Sequence, residues 1–226
     1  MRALAATLAS AIFVSACGGG GGGNGAAKTL VPACPVAPAA FVTGETRAVF
    51  DLSGAGGFFD LPFPTDLRLT PDGHPDLTGF PNPKGLAIVR AHAETAARDN
   101  VGWETAQPIW IRFTGRLDAA RLPRNPAAYA SPAAPIQLVD VDDASHERGR
   151  RLPLEVRFKT EADSYRPGNL LEIHPVYGIE PREGTTYALL VTHGVCGSPQ
   201  APLAGDPALT TLLRGASPGG ALGAKA

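Results

Sequence analysis

Three stretches of the 226-residue chain carry side chains that could do chemistry. The first is "FFDLPFPTDLRLTPDG", residues 58–73, with carboxylates at Asp60, Asp66 and Asp72. Acid–base catalysis needs such groups in a cleft with shifted acidities, and the surrounding residues point elsewhere. Its three prolines hold the backbone extended and deny helix to the residues before them. Phe58, Phe59, Leu61, Phe63, Leu67 and Leu69 supply enough apolar surface to pin the loop, at about 1.5–3 kcal/mol for each fully buried side chain. The aspartates then read as turn and capping residues, with Asp72-Gly73 a direct turn signal. The second stretch is "GASPG", residues 215–219, which matches the G-x-S-x-G pattern of a nucleophile elbow around Ser217. That motif works only between a strand and a helix, with an acid and a histidine later in the chain. Here a helical pattern precedes, Pro218 follows the serine, and neither acid nor histidine comes after, so the match is read as chance. The third is "DVDDASHERGRR", residues 140–151, whose Asp140, Asp142 and Asp143 offer hard oxygen ligands for calcium. It lacks the glycine and the distal glutamate of an EF-hand loop and reads as a solvated hairpin connection.

The histidines are His74, His92, His146, His174 and His193, and they show no metal-ligand spacing. His174 and His193 sit near the ends of expected strands and become neighbours if those strands pair, but two histidines without a third ligand make no metal site. Neither a metal nor a cofactor is expected, and no residue is assigned a catalytic role. Trp103 and Trp110 read as packing residues.

The N-terminus is the most informative stretch. "MRALAATLASAIFVSAC" has one positive charge at Arg2, an apolar run over residues 3–14, and small residues before Cys17. The run is too short to cross a hydrocarbon core of roughly 30 Å, so it reads as an export signal. "VSAC" resembles a bacterial lipobox, which implies cleavage before Cys17 and a lipid on that cysteine. The "GGGGGGNGAA" that follows has no side chains to pack and behaves as a flexible tether. A lipid at one end of such a tether holds a folded body beside a membrane. Gly18 stands where an aspartate would favour inner-membrane retention, so the outer membrane is the expected address. With Cys17 assigned, Cys34 and Cys196 remain as a pair in an oxidising compartment, either a disulfide or two thiols.

Composition narrows the rest. Hydrophobic residues make up 44% and charged residues 18%, with a formal net charge of −1, so no basic stripe exists for a nucleic-acid backbone. The 27 glycines and 22 prolines predict many turns and little helix. "GLAIVRAHAETAARDN", residues 85–100, is the one long helical pattern, with Leu86, Val89, Ala93 and Ala96 or Ala97 on one face. Arg90, Glu94 and Arg98 fall on the other face, where Glu94 and Arg98 form an i, i+4 pair. Period-two runs at residues 108–113, 135–141, 152–158, 170–175 and 185–193 predict strands, with Leu152, Leu154, Val156 and Phe158 on one face of a single strand. "DPALTTLLRG" predicts a short helix capped by Asp206 and ended at Gly215. Regular one-faced strands without intervening helices predict a mainly β protein, an antiparallel β-sandwich.

The order of "LPFPTDLRLTPDG", "PIWIRFTGRLDAARLP", "IQLVDVD", "RLPLEVRF" and "YRPGNLLEIHPVYGIEPREGTTYALLVTHGV" resembles the N-terminal Ig-like region of large bacterial lipoproteins. The resemblance spans roughly residues 48–200. It implies an Ig-like sandwich and, since some such lipoproteins continue into an α/β-hydrolase, an accessory role beside a lipase- or esterase-like domain. The resulting division is 1–16 signal peptide, 17–41 lipidated cysteine and tether, 42–105 packed loop and helix, 106–198 Ig-like sandwich, and 199–226 tail with a short helix. The expected partners are the membrane, through Cys17, and a catalytic domain or envelope protein. The competing expectation is a stand-alone surface module that binds carbohydrate or protein.

Overall fold

The computed structural model describes residues 8–12, 34, 46–192, 194–198, 201–223 and 225. Cys17, its lipidation and most of the signal and tether lie outside the described residues. So does His193.

In chain order the elements are β1 (Leu8–Ile12), α1 (Ala87–Asp99), β2 (Ile109–Arg112), β3 (Ile136–Asp140), β4 (Arg151–Leu152), β5 (Leu154–Lys159), β6 (Leu170–Pro175), β7 (Tyr187–Val191), β8 (Cys196–Gly197), β9 (Ala201–Pro202) and α2 (Pro207–Leu213). The protein is mostly strands, in two small sheets with two helices. One sheet has the order β1-β7-β3-β4, the other β2-β6-β5, and β8 pairs only with β9. Every pairing is antiparallel except β1 with β7, which is parallel. Part of the apolar run read as an export signal is thus a strand on the free edge of β7.

Both sheets turn apolar residues into one core. Ile109, Ile111, Leu154, Leu171 and Ile173 come from the second sheet, and Ile136, Leu138, Leu152, Leu189 and Val191 from the first. Leu152 and Leu154 do not belong to one continuous strand, as the alternation alone suggests. Pro153 lies between them, has no N–H to give a ladder, and lets the chain leave the first sheet at β4 and enter the second at β5. Its carbonyl still accepts from Val176 N at 3.3 Å, so the corner is tied to the end of β6.

The proline-aromatic loop closes one end of this core. Phe58, Phe59, Leu61, Phe63 and Leu67 are buried, and two single-turn 3-10 segments, Phe58–Asp60 and Asp66–Arg68, set their directions. Phe63 meets Phe58, Trp103 and Trp110 at ring-centroid distances of 4.9, 5.1 and 5.8 Å. Its backbone exchanges hydrogen bonds with Trp110, so the loop is stitched to β2. The turn at Gly73 needs a positive φ, +84°, which glycine adopts without strain.

A smaller apolar cluster joins the tail to this loop: Phe50, Leu52, Leu61, Leu67 and Leu209, with Leu212 and Leu222 against them. Helix α2 starts as expected, with Asp206 accepting from Ala208 N at 2.9 Å and Leu209 N at 3.3 Å. Beyond it Gly220 lets the tail lie against residue 52: a Cβ there would stand 2.6 Å from the Leu52 carbonyl oxygen.

Helix α1 lies on the surface with no fully buried residue. Val89, Ala93, Ala96 and Ala97 are half-buried, as the periodicity predicts, while Leu86 and Ile88 are exposed. Glu94 pairs with Arg90, at 3.8 Å, and Arg98 with its neighbour Asp99, at 2.6 Å, in place of the expected Glu94–Arg98 pair. On an exposed helix these alternatives differ by tenths of a kcal/mol, about the size of any such pair.

Phe63→Ala is expected to lower stability by about 3–5 kcal/mol, since the ring is buried among three aromatic neighbours. Denaturant unfolding of the variant, followed by tryptophan fluorescence, checks this; an unchanged midpoint contradicts the packing role.

Candidate functional site

The sequence candidates among the described residues occupy distinct parts of the fold. In the proline-aromatic loop, Asp60 accepts from Gly57 N at 2.7 Å and forms an ion pair with Arg112 of β2. Asp51 accepts from Ser53 N at 2.8 Å and Gly56 N at 2.9 Å, closing its own turn. Asp76 does the same with Thr78 N at 3.0 Å. Arg68 donates to the Phe58 carbonyl at 2.9 Å and lays its guanidinium 4.3 Å above the Phe58 ring, with burial lowering its pKa. Asp51, Asp60, Arg68 and Asp76 line a cavity of about 290 Å³ that Leu222 helps to close.

The electrostatics of this cavity do not suit proton transfer. A general acid near neutral pH needs a raised pKa. Hydrogen bonds at Ser53 and Thr78 instead hold Asp51 and Asp76 below the ordinary carboxylate value, and both stay ionised. These aspartates build turns. Arg68, Arg112, Asp51 and Asp76 were not singled out by the sequence, because their partners lie far along the chain or depend on turn geometry.

The Asp140–Asp143 stretch also serves as scaffold. Asp140 is buried at the end of β3, takes a hydrogen bond from Ser145 Oγ, and pairs with Arg182 at 3.4 Å. Asp142 accepts from Ala144 N and Thr186 N, which lowers its pKa and ties the connection to the start of β7. Asp143 pairs with Arg148 on the surface. With their oxygens turned to peptide N–H groups and arginines, these carboxylates do not converge on a cation position. Among the described residues no group of three or more His, Cys, Asp and Glu is placed to hold a metal.

Ser217 does not stand on an elbow. Its hydroxyl donates to the Gly223 carbonyl at 3.4 Å, in an irregular tail after α2. His74 Nδ1 meets the Asn100 carbonyl at 2.7 Å and links the loop to the end of α1, and His92 is exposed on that helix. The expected His174–His193 neighbourhood lies outside the described residues at His193. Trp103 is buried and Trp110 half-buried, stacked against Phe63. Cys34 and Cys196 are joined in a disulfide, Cα–Cα 5.7 Å across 162 residues of sequence.

Two surface features remain. A groove of about 570 Å³ runs between α1 and residues 70–82, with Val89, Ala93 and Ala97 on one wall and Pro75, Leu77 and Phe80 on the other. At the turn after β6, Tyr177 is 93% exposed and Ile179 stands beside it. Among the described residues no helix is long and apolar enough to cross a membrane. Comparison with known proteins finds no matching family model, no matching curated protein and no matching solved structure.

The acidities predict a pH dependence. Asp51, Asp76, Asp99, Asp142 and Asp163 have lowered folded-state pKa values, caused first by Ser53, Thr78, Arg98, Ala144 and Lys159 respectively. Their contribution is complete above the unfolded value of about 3.8 and is lost as pH falls through the folded values. Asp206, raised by burial, acts in the opposite sense: its contribution is present at low pH and lost as pH rises. Five groups against one predict a lower unfolding midpoint at pH 3 than at pH 6, with Asp142→Asn flattening the slope. A midpoint that rises on acidification contradicts this assignment.

Proposed function

We propose that this chain is a lipid-anchored bacterial cell-envelope lipoprotein whose body is a non-catalytic, Ig-like accessory or spacer module. The observation that carries the reading is "VSAC" ending at Cys17 after a short apolar run, followed at once by a glycine-rich tether. The Cys34–Cys196 disulfide supports it, since such bonds persist in oxidising compartments outside the cytosol. Two sheets sharing one core, with the chain crossing from one to the other at Pro153 between β4 and β5, support an Ig-like sandwich. Turn-forming carboxylates, and a serine outside an elbow, support a body without catalysis of its own.

Cys17→Ser is the direct test. Expressed with its own N-terminus in a bacterium fed labelled palmitate, the natural chain incorporates label and sediments with membranes. The variant incorporates none and is recovered in the soluble fraction. Equal labelling of the two forms refutes the lipoprotein reading.

A second reading takes the chain as the front portion of an esterase- or lipase-type lipoprotein. It is favoured by the groove beside α1, lined by Val89, Ala93, Ala97, Pro75, Leu77 and the exposed Phe80, a surface suited to a catalytic domain or envelope protein. Sequencing the coding DNA past Ala226 decides between them: an in-frame strand–G-x-S-x-G–helix with later acid and histidine supports the hydrolase reading. A third reading, a carbohydrate or protein binder, draws on Tyr177; saturable glycan binding lost in Tyr177→Ala supports it.

A further inference from the structure

The outer face of the β2-β6-β5 sheet divides in two. Over β2 the proline-aromatic loop covers it, with Phe59 and Phe63 against Trp110. Over β5 and β6 it is open among the described residues. Alternation turns Leu154, Val156 and Phe158 towards the core and Glu155 and Arg157 outwards, beside His174 of β6. Glu155 stands directly opposite His174 in the register, which puts their Cβ atoms about 5 Å apart. Arg157 follows two residues on, about 7 Å along the strand.

At one end of this face the ionic groups are paired, Glu172 with Arg166 and Lys159 with Asp163. With Glu172 taken by Arg166, Arg157 opposite it is left over. Among the described residues Glu155, Arg157 and His174 make neither an ion pair nor a side-chain hydrogen bond. At the exit of β6 the chain turns tightly. Ile179 N donates to the Val176 carbonyl at 2.9 Å, and Gly178 takes the positive φ, +81°, that this turn requires at its second central position. Gly178 N donates to the Glu180 carboxylate at 2.9 Å. The turn holds Tyr177 93% exposed, at the rim of a cavity of about 250 Å³ walled by Ala106, Glu155, Arg157, His174 and Glu180. A lone exposed aromatic is ordinary, but one set over uncommitted donors and acceptors has the make-up of a ligand site.

We propose that this cavity binds one pyranose ring of a neutral glycan, stacked on Tyr177 and held through its hydroxyls by Glu155, Glu180, Arg157 and His174. The inference rests on the reading of the chain as a surface binder and names the site and the ligand class. The negative π face of Tyr177 attracts the weakly positive axial C–H bonds of a sugar ring. Carboxylates only accept and a guanidinium only donates, so hydroxyls, which do both, satisfy the two kinds of group at once. Two carboxylates against one guanidinium disfavour sulfated or carboxylated sugars. The cavity is smaller than the roughly 300–1,000 Å³ that encloses a whole ligand, so one ring enters and the rest of the glycan lies across the open face. A protein partner needs about 800 Å² of matched surface, and at this turn only Tyr177 and Ile179 among the described residues are large exposed apolar side chains.

The full chain, purified in detergent, is tested on an array of neutral hexose and N-acetylhexosamine oligosaccharides printed beside sulfated and uronic-acid glycans, and hits are titrated by calorimetry. Saturable binding to neutral glycans alone is expected. Tyr177→Ala weakens it about tenfold or more, Tyr177→Phe keeps it, and Glu155→Gln and Arg157→Ala each weaken it. All four variants keep the unfolding midpoint, because these side chains are exposed. Neutral-glycan binding that survives Tyr177→Ala leaves the binder reading standing and overturns this site. Binding confined to anionic glycans, or none to any glycan at millimolar concentration, overturns the proposal. A protein captured through Tyr177 in place of a glycan does so too, while keeping the binder reading.

Discussion

The apolar seam between the two sheets is the constraint on which the rest of the molecule depends. Ile109, Ile111, Leu154, Leu171 and Ile173 face Ile136, Leu138, Leu189 and Val191, and most of these have no exposed surface at all. Neither sheet could bury its inner face alone, since each is three or four short strands wide. Pro153 makes the seam possible by carrying the chain from β4 in one sheet to β5 in the other without leaving a ladder N–H unpaired.

Around that seam, irregular segments are held by packing rather than by ladders. The proline-aromatic loop contributes Phe58, Phe59 and Phe63 to the main core and Leu61 and Leu67 to the second cluster, so it joins the sheets to the tail. Asp60 of this loop, Asp51 before it, and Asp140 and Asp142 accept from peptide N–H groups that such turns leave free. A carboxylate used in this way is held ionised by its donors, which is why chains rich in Asp-containing turns can look catalytic in sequence and carry scaffold in structure.

The disulfide acts on a different scale. It fixes Cys34 beside the exit of β7, across 162 residues of sequence. Surface α1, with its apolar groove, is the contrasting case: held by half-buried alanines and one valine, it is attached weakly and keeps its face open.

Local signals in the sequence determined a good deal. Asp206, Pro207 and Gly215 marked α2 because capping and proline geometry act within a few residues. Alternation located β2, β3, β6 and β7, and the phenylalanines of the loop announced their burial. Only the tertiary structure decided that residues 152–158 divide between two sheets, that Asp60 meets Arg112, that the tail packs on Leu52, and that Leu8–Ile12 lies along β7. The reason is range: periodicity states which face of a segment is apolar, but which other apolar face covers it is settled by burial across the whole chain.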